Sequence, residues 1–165
     1  MFQIKPISKE SIPSALEKAE RYRLLNEPIL VESICKDILE VDPKNNRAII
    51  IMLLAITDQF GASHMADMHQ AKELLSQLSD EYEQEYYSGL ICERQGISKL
   101  HKHIPDGVFV AYEWLRDAME HYEKAEKLRP PGKDEAILRW NTCARLIMRH
   151  HLKPRDEKYV EPPLE

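Results

Sequence analysis

Two stretches of the chain share one pattern of small and apolar residues, which limits the fold more than any other feature. In each stretch, three such residues recur at steps of four and then three, and a proline follows five residues after the last. They are Val31, Cys35, Ile38 and Pro43 in one stretch and Ala118, Tyr122, Ala125 and Pro130 in the other. These steps place side chains on one face of an α-helix, and proline cannot continue a helix. The pattern therefore predicts two amphipathic helices, each ending at a turn.

The same helical period extends along most of the chain. No segment alternates between apolar and polar residues as a half-buried strand would. Breaks at proline, glycine and asparagine divide the pattern into seven predicted helices, at about 11–25, 28–41, 47–60, 65–78, 81–96, 108–128 and 134–150. We expect Ser11 to cap the first helix. The prediction is an all-α fold.

Composition and charge exclude two broad classes of function. The net charge is −5 with both signs interspersed, whereas sequence-independent nucleic-acid binding needs a clustered basic surface. The longest apolar run, residues 48–56, is far shorter than the ~20 residues that span a bilayer, and the first ten residues do not resemble a signal peptide. Three widely spaced cysteines in apolar contexts fit buried thiols in a reducing compartment. We therefore expect a cytoplasmic protein that binds neither nucleic acid nor membrane.

The stretch ending at Pro130 resembles the second helix of a tetratricopeptide repeat, in which small, aromatic and small residues precede a closing proline. Ala19 and Tyr22 match the small and aromatic positions of a first helix. Gly89 and Gly96 match the two small positions of the first helix of another repeat, with Cys92 in place of the aromatic residue between them. The turns DPKNNRAI and PPGKDEAI also resemble each other, as the turns between successive repeats do.

This resemblance implies a right-handed superhelix of three antiparallel helical hairpins and a capping helix over residues 11–151. Residues 1–10 are expected to be an extended segment and residues 152–165 a disordered tail. The middle hairpin is degenerate, with His64, Met68 and Ala71 at the motif positions. It is assigned as a repeat from the hairpins on either side and not from its own motif. A helical bundle without repeats is the alternative.

The third hairpin is longer than the repeat requires. From Cys92 to Ala118 is 26 residues, whereas from Tyr22 to Val31 is nine. We expect the insertion, about residues 97–113, to form an outward loop near 101–107 and an early start of the sixth helix. Such a loop would overhang one end of a binding groove and help to select a ligand; a passive insertion is the alternative.

No motif in the sequence supports catalysis, a cofactor or a metal ion. HExxH, Walker-type, glycine-rich phosphate-binding and GxSxG motifs are absent. The His150–His151 pair would point about 100° apart on a helix, so it cannot chelate as an i, i+4 pair does. Acidic residues at 80–85 suit the first turn of a helix through its dipole. We therefore expect no enzyme activity, no cofactor and no metal site.

The resemblance also implies where a partner would bind. In tetratricopeptide-repeat proteins, the first helix of each pair lines a concave surface on which peptides commonly bind. The register of the motif places there Leu16, Glu20, Arg47, Ile51, Tyr86, Tyr87, Leu90, Arg94 and Arg139. Chaperone-binding members carry lysine and asparagine at positions where this chain has Leu16, Glu20 and Ile51, so a clamp for a terminal carboxylate is not expected.

A polar ridge on the last helix extends this predicted surface. Asn141 and Arg145 belong to it, and they would either contact an acidic partner or face solvent. The function expected from the sequence is a non-catalytic adaptor that binds an unidentified protein or peptide in a groove. The alternative is a structural module that uses the same surface to form a homodimer. Exposed apolar groove residues would favour binding, and burial of all of them would favour a plain bundle.

Overall fold

The computed structural model describes residues 1–62 and 65–156, without the side chains of residues 65 and 66. Helix accounts for 73% of the described residues and none of them forms a strand, so the all-α prediction is confirmed. Residues 1–8 form no helix, and a 3-10 turn at Lys9–Ser11 follows them. The α-helices are α1 (Ile12–Leu24), α2 (Pro28–Val41), α3 (Asn46–Asp58), α4 (Met65–Ser76), α5 (Glu81–His101), α6 (Gly107–Leu128) and α7 (Glu135–Arg149).

Helices that follow one another in the chain pack against one another. The pairs are α1 with α2, α3 with α4 and α5 with α6, and α7 closes the series against α6. Within a pair, packed helices joined by a short connection run antiparallel. The first helices of successive pairs also touch, since α1 contacts α3 and α3 contacts α5. The molecule is therefore a series of helical hairpins, as the repeated pattern predicted.

Side-chain caps define the starts of two helices. Asn45 and Asp80 each accept a hydrogen bond, at 3.0 Å, from the backbone N–H three residues farther along. The cap predicted at Ser11 does not form, because its hydroxyl donates to the Ser8 carbonyl at 2.8 Å. The 3-10 turn already gives Ser11 a helical backbone, whereas an effective N-cap residue has an extended one.

The apolar faces of the helices form two core clusters. The first is built mainly from α1 to α4, and the second from α5 to α7. The six apolar residues of the two patterned stretches are fully buried, namely Val31, Cys35, Ile38, Ala118, Tyr122 and Ala125. Spacing alone thus identified the residues that hold each second helix against its neighbours.

The long third hairpin differs from the prediction in its first helix. α5 continues past Gly96 to His101, and α6 begins at Gly107, one residue before the predicted start. Gly96 lies inside this helix, and a Cβ atom there would come within 2.9 Å of Leu115 Cγ. Its lack of a side chain serves close packing against α6. The insertion therefore lengthens both helices and leaves a connection of only residues 102–106.

The helical domain includes one residue that the sequence analysis assigned to the tail. His151 adopts a left-handed backbone with φ of 51°, so the Leu152 N–H can donate to the Ile147 carbonyl at 3.0 Å. The Leu152 side chain is 7% exposed and packs in the second core cluster. The rest of the predicted tail from residue 157 onward, and His64 of the middle hairpin, lie outside the described residues.

Candidate functional site

The four helices that carry the predicted binding residues lie in one row. We call the surface shared by α1, α3, α5 and α7 the first-helix face. Backbone contacts join α1 to α3 and α3 to α5, and an ion pair between Arg139 and Glu93 joins α5 to α7. All eleven residues that the sequence analysis selected belong to these four helices.

Three of the selected residues belong to the core and not to an accessible surface. Leu16, Ile51 and Leu90 are only 7%, 3% and 0% exposed. Each lies on a helix that contacts neighbours on more than one side, so the aliphatic positions of the motif turn inward. The apolar groove floor expected from these three residues is therefore absent, and their burial favours a plain helical bundle. Of the selected residues with large apolar surfaces, only Tyr86 and Tyr87 remain partly exposed, so a partner would meet polar and aromatic side chains.

A two-point ion pair links α1 to α3 on the first-helix face. Arg47 donates from its Nε atom to Glu20 at 3.1 Å and from a terminal nitrogen to the other carboxylate oxygen at 2.6 Å. Both side chains are about half exposed, at 53% and 46%. Solvent and salt screen exposed ion pairs, so this pair contributes little to stability and a partner can replace it.

Two further polar links join α3 to its neighbours. Asp58 at the end of α3 lies 2.9 Å from Arg23 of α1 and 3.5 Å from Arg94 of α5. Asn46 at the start of α3 donates to Glu83 of α5 at 3.0 Å. The carboxylate of Asp58 therefore orients both arginines. Of the two, Arg94 had been selected by the sequence analysis.

Tyrosines occupy the centre of the face, on α5. Tyr86 and Tyr87 meet edge to face with ring centroids 5.0 Å apart, and Tyr82 stacks on Tyr86 at 5.9 Å. Burial, followed by the neighbouring Tyr86, raises the pKa of Tyr87 to about 12. Tyr86 packs on the second core cluster and Tyr87 on the first. The two tyrosines therefore connect the two cores. Both are half-buried, so part of each remains accessible to solvent.

Arg139 of α7 pairs with a carboxylate that is almost fully buried. Glu93 is 1% exposed; it accepts a hydrogen bond from Arg139 at 3.0 Å and another from the Tyr122 hydroxyl. Burial and then the charge of Glu93 raise the pKa of Tyr122. Burial lowers the pKa of Arg139, but the charge of Glu93 and the contributions of Tyr86 and Tyr122 together outweigh this effect, and the pKa is raised. This triad binds the third hairpin to α7.

Asn141 and Arg145 lie farther along α7. Asn141 is half-buried and Arg145 is exposed. In the part of the chain that the structure describes, neither side chain forms a hydrogen bond or an ion pair. Both follow Arg139 at offsets that turn them about 200° and 240° around α7, so a partner could reach them only on the side of the helix away from Glu93.

Sequence reasoning missed Asn46 and Glu83, and it also missed three residues that complete the other polar links, namely Arg23, Asp58 and Glu93. Each lies seven residues after a residue that had been selected, counting from Leu16, Ile51 and Tyr86. A step of seven is two helical turns and stays on the same face. Extending the register by two turns and looking for opposite charges would have found all three.

The described residues hold no group of three or more histidine, cysteine, aspartate or glutamate side chains arranged to bind a metal ion. Burial raises the pKa of the free thiols of Cys35 and Cys143 to about 12, and that of Cys92 to about 11. At neutral pH these groups are therefore thiols, whereas nucleophilic cysteines react as thiolates. Among the same residues, no helix has the length and apolar character needed to cross a membrane.

Comparison of this chain with protein-family models, with curated proteins and with solved structures finds no match in any of the three.

Proposed function

We propose that the chain is a non-catalytic adaptor of the tetratricopeptide-repeat type, which binds a protein or peptide partner on its first-helix face in the cytoplasm. The observation that carries the proposal is the row of half-exposed charged and aromatic side chains across α1, α3, α5 and α7. Tyrosine and arginine are enriched where proteins bind one another. Tyr86, Tyr87, Arg47 and Arg145 supply both residue types from three of the four helices.

The charges on this face suit a partner that carries both signs. Glu20 and Arg47 satisfy each other, and Asp58 is shared by two arginines. A partner would replace these contacts with contacts to its own charges. This exchange would select partners by the order of their charges more than it would raise the affinity. Arg145 and Asn141 have no such partner within the described chain. An acidic group of the ligand would be directed toward the α7 end.

A capture experiment with charge-reversed variants tests this proposal. Immobilised protein would capture partners from a lysate of the source cells, and the affinity of each purified partner would be measured by isothermal titration calorimetry. Arg47→Glu with Arg145→Glu should weaken binding about tenfold or more. The control, Lys124→Glu with Lys127→Glu, reverses two exposed charges on α6 and should change affinity less than about twofold. Equal affinities for both double variants would contradict the proposal.

A homodimer is the second candidate, favoured by an apolar patch that lies outside the groove residues through which the sequence analysis expected the dimer to form. At the turn between α1 and α2, Leu24, Leu25, Ile29 and Leu30 are 83%, 63%, 79% and 44% exposed. Such adjacent aliphatic side chains often mark an interface. Sedimentation equilibrium should then show a dimer that Ile29→Lys dissociates, with Lys36→Glu on the same helix as the control. A monomer at every concentration would exclude this candidate.

A further inference from the structure

A cleft of about 630 Å³ lies between the turn after α3, the helix α4, the second half of α5 and the first half of α6. None of the eleven predicted groove residues lines it. Its apolar walls come from Phe60, Met68 and Trp114, which are half-buried. Its volume falls within the range of about 300–1,000 Å³ that is typical of ligand sites. The cleft is therefore large enough to receive bulky side chains of a peptide.

Among the described residues, three lysines and His69 are the basic side chains that line this cleft, and no carboxylate lines it. His69 lies 3.4 Å from Glu73, so the lysines supply the unpaired charge. Lys72 comes from α4, Lys99 from α5 and Lys102 from the connection after α5. Within the described ranges, none of these three ammonium groups lies within 4 Å of a carboxylate oxygen. The chain as a whole carries a net charge of −5. The cleft is thus a local concentration of unpaired positive charge on an acidic protein.

The insertion in the third hairpin builds one wall of the cleft. Lys99 and Lys102 both follow Gly96, where the fifth helix was predicted to end. The extension of α5 also brings Ser98 against the turn after α3, where a Cβ atom at Gly61 would lie 3.3 Å from Ser98 Cβ. A hairpin of the ordinary repeat length would lack this wall and two of the three lysines.

We propose that this cleft binds an acidic peptide segment in which an aromatic or aliphatic side chain lies between carboxylates. The ring of Trp114 and the side chains of Phe60 and Met68 would enclose the apolar side chain. Three flexible ammonium groups act as point charges and attract several carboxylates without requiring one planar geometry. The inference rests on the proposed function as a peptide-binding adaptor, but it uses a different surface of the molecule.

Tryptophan fluorescence offers a direct readout of this cleft. The chain has two tryptophans, so Trp140→Phe leaves Trp114 as the only one. The probe is the peptide acetyl-Glu-Glu-Phe-Leu-Glu-Glu-amide, which contains no tryptophan. Its addition should produce a saturable change in emission that weakens as salt is raised, because salt screens the lysines. The same peptide with glutamine for glutamate, or alanine for Phe and Leu, should produce no saturable change.

Charge reversal distinguishes this cleft from the first-helix face. Lys72→Glu with Lys102→Glu changes two exposed side chains and should raise the dissociation constant of the probe about tenfold. Lys124→Glu with Lys127→Glu is the matched control and should leave it unchanged. Absence of saturable binding to the parent would overturn the cleft proposal and leave the first-helix face to its own test. Loss of probe binding in the Arg47→Glu, Arg145→Glu variant, with the cleft variant unaffected, would also overturn it.

Discussion

Glu93 carries a carboxylate into the interior at the point where α5, α6 and α7 meet. Its neighbours Tyr122 and Arg139 come from the other two helices, so one side chain determines how three helices are joined. Removal of one partner of a buried pair leaves the other polar group without a contact, at a typical cost of 3–5 kcal/mol. Arg139 is one-third exposed and recovers part of its hydration, which reduces that cost.

We predict that Glu93→Ala lowers the free energy of unfolding by about 3 kcal/mol, measured by urea denaturation. Tyr122→Phe, which removes one hydrogen bond, should cost about 1–2 kcal/mol. Glu20→Ala is the control, since it breaks a half-exposed pair that contributes little to stability. A Glu93→Ala variant no less stable than the Glu20→Ala variant would show that the triad does not join the helices.

The buried thiols make stability depend on pH. Burial, followed by the charge of Glu32, raises the pKa of Cys35 to about 12, whereas a thiol in the unfolded chain has a pKa of about 8.5. Between these values the folded chain retains a proton that the unfolded chain releases. The unfolded state then binds fewer protons, so the free energy of unfolding must fall as pH rises through this window and be unaffected below it.

Cys35→Ala should therefore flatten the dependence of unfolding free energy on pH. Urea denaturation between pH 8 and 10.5 would compare the two slopes, which should differ by up to about 1.4 kcal/mol per pH unit at the alkaline end. The cavity left by the substitution lowers stability by a constant amount and does not alter the slope. Parallel slopes would mean that Cys35 is not protected from ionisation in the folded chain.

At the scale of the helix, the glycines of α5 are packing positions. A Cβ atom on Gly89 would lie 2.6 Å from the ring of Tyr122, and one on Gly96 would lie 2.9 Å from Leu115 Cγ. Alanine inside a helix normally stabilises it by about 1 kcal/mol relative to glycine. Here the collision with α6 should outweigh this gain, because overpacking typically costs 1–3 kcal/mol or more.

We predict that Gly96→Ala destabilises the protein by about 1–2 kcal/mol in thermal or urea denaturation. In a Leu115→Ala background the two nearest atoms are absent and only Trp114 Cβ remains close, at 3.3 Å, so the same change should cost less. Gly132→Ala controls for backbone strain alone: its φ is +82°, and among the described residues other than its two chain neighbours no atom lies within 4 Å of a Cβ there. A stabilising Gly96→Ala in the parent would show that α5 and α6 are not in close contact at this point.

The glycines also explain which features of the elements could be predicted from the sequence. Helix ends at Pro43 and Pro130 were predictable because proline acts locally, through its own ring. The end of α5 was not, because whether a glycine ends a helix depends on what packs against it, and Leu115 is nineteen residues away. In the same way, spacing located Leu16, Ile51 and Leu90 on the correct helices, but their burial depends on neighbouring helices that spacing does not describe.

At the scale of the whole molecule, two core clusters are joined through α5. Ile91 and Tyr87 of α5 pack on the first cluster, while Tyr82 and Tyr86 belong to the second. Arg94 adds an ion pair to α3 across the same boundary. A sequence pattern assigns residues to a helical face but does not show which of two neighbouring cores that face joins.

The second core ends at Leu152, and truncation tests this boundary. Leu152 is 7% exposed, and its N–H closes the last turn of α7 through the Ile147 carbonyl. A chain ending at residue 151 loses this apolar contact and this hydrogen bond, whereas a chain ending at residue 153 keeps both. We predict that the free energy of unfolding, measured in urea, is about 2–4 kcal/mol lower for the shorter chain than for the longer one.

Both truncated chains lack residues 154–165, so their comparison isolates Leu152 and Lys153, and Lys153 is exposed. Leu152→Ala in the full chain should reproduce most of the loss, because it removes the side chain and keeps the backbone hydrogen bond. Lys153→Ala should have no measurable effect. Equal stability of the two truncated chains would place the end of the domain at His151, where the helical pattern of the sequence ends, and would make the packing of Leu152 incidental to the fold.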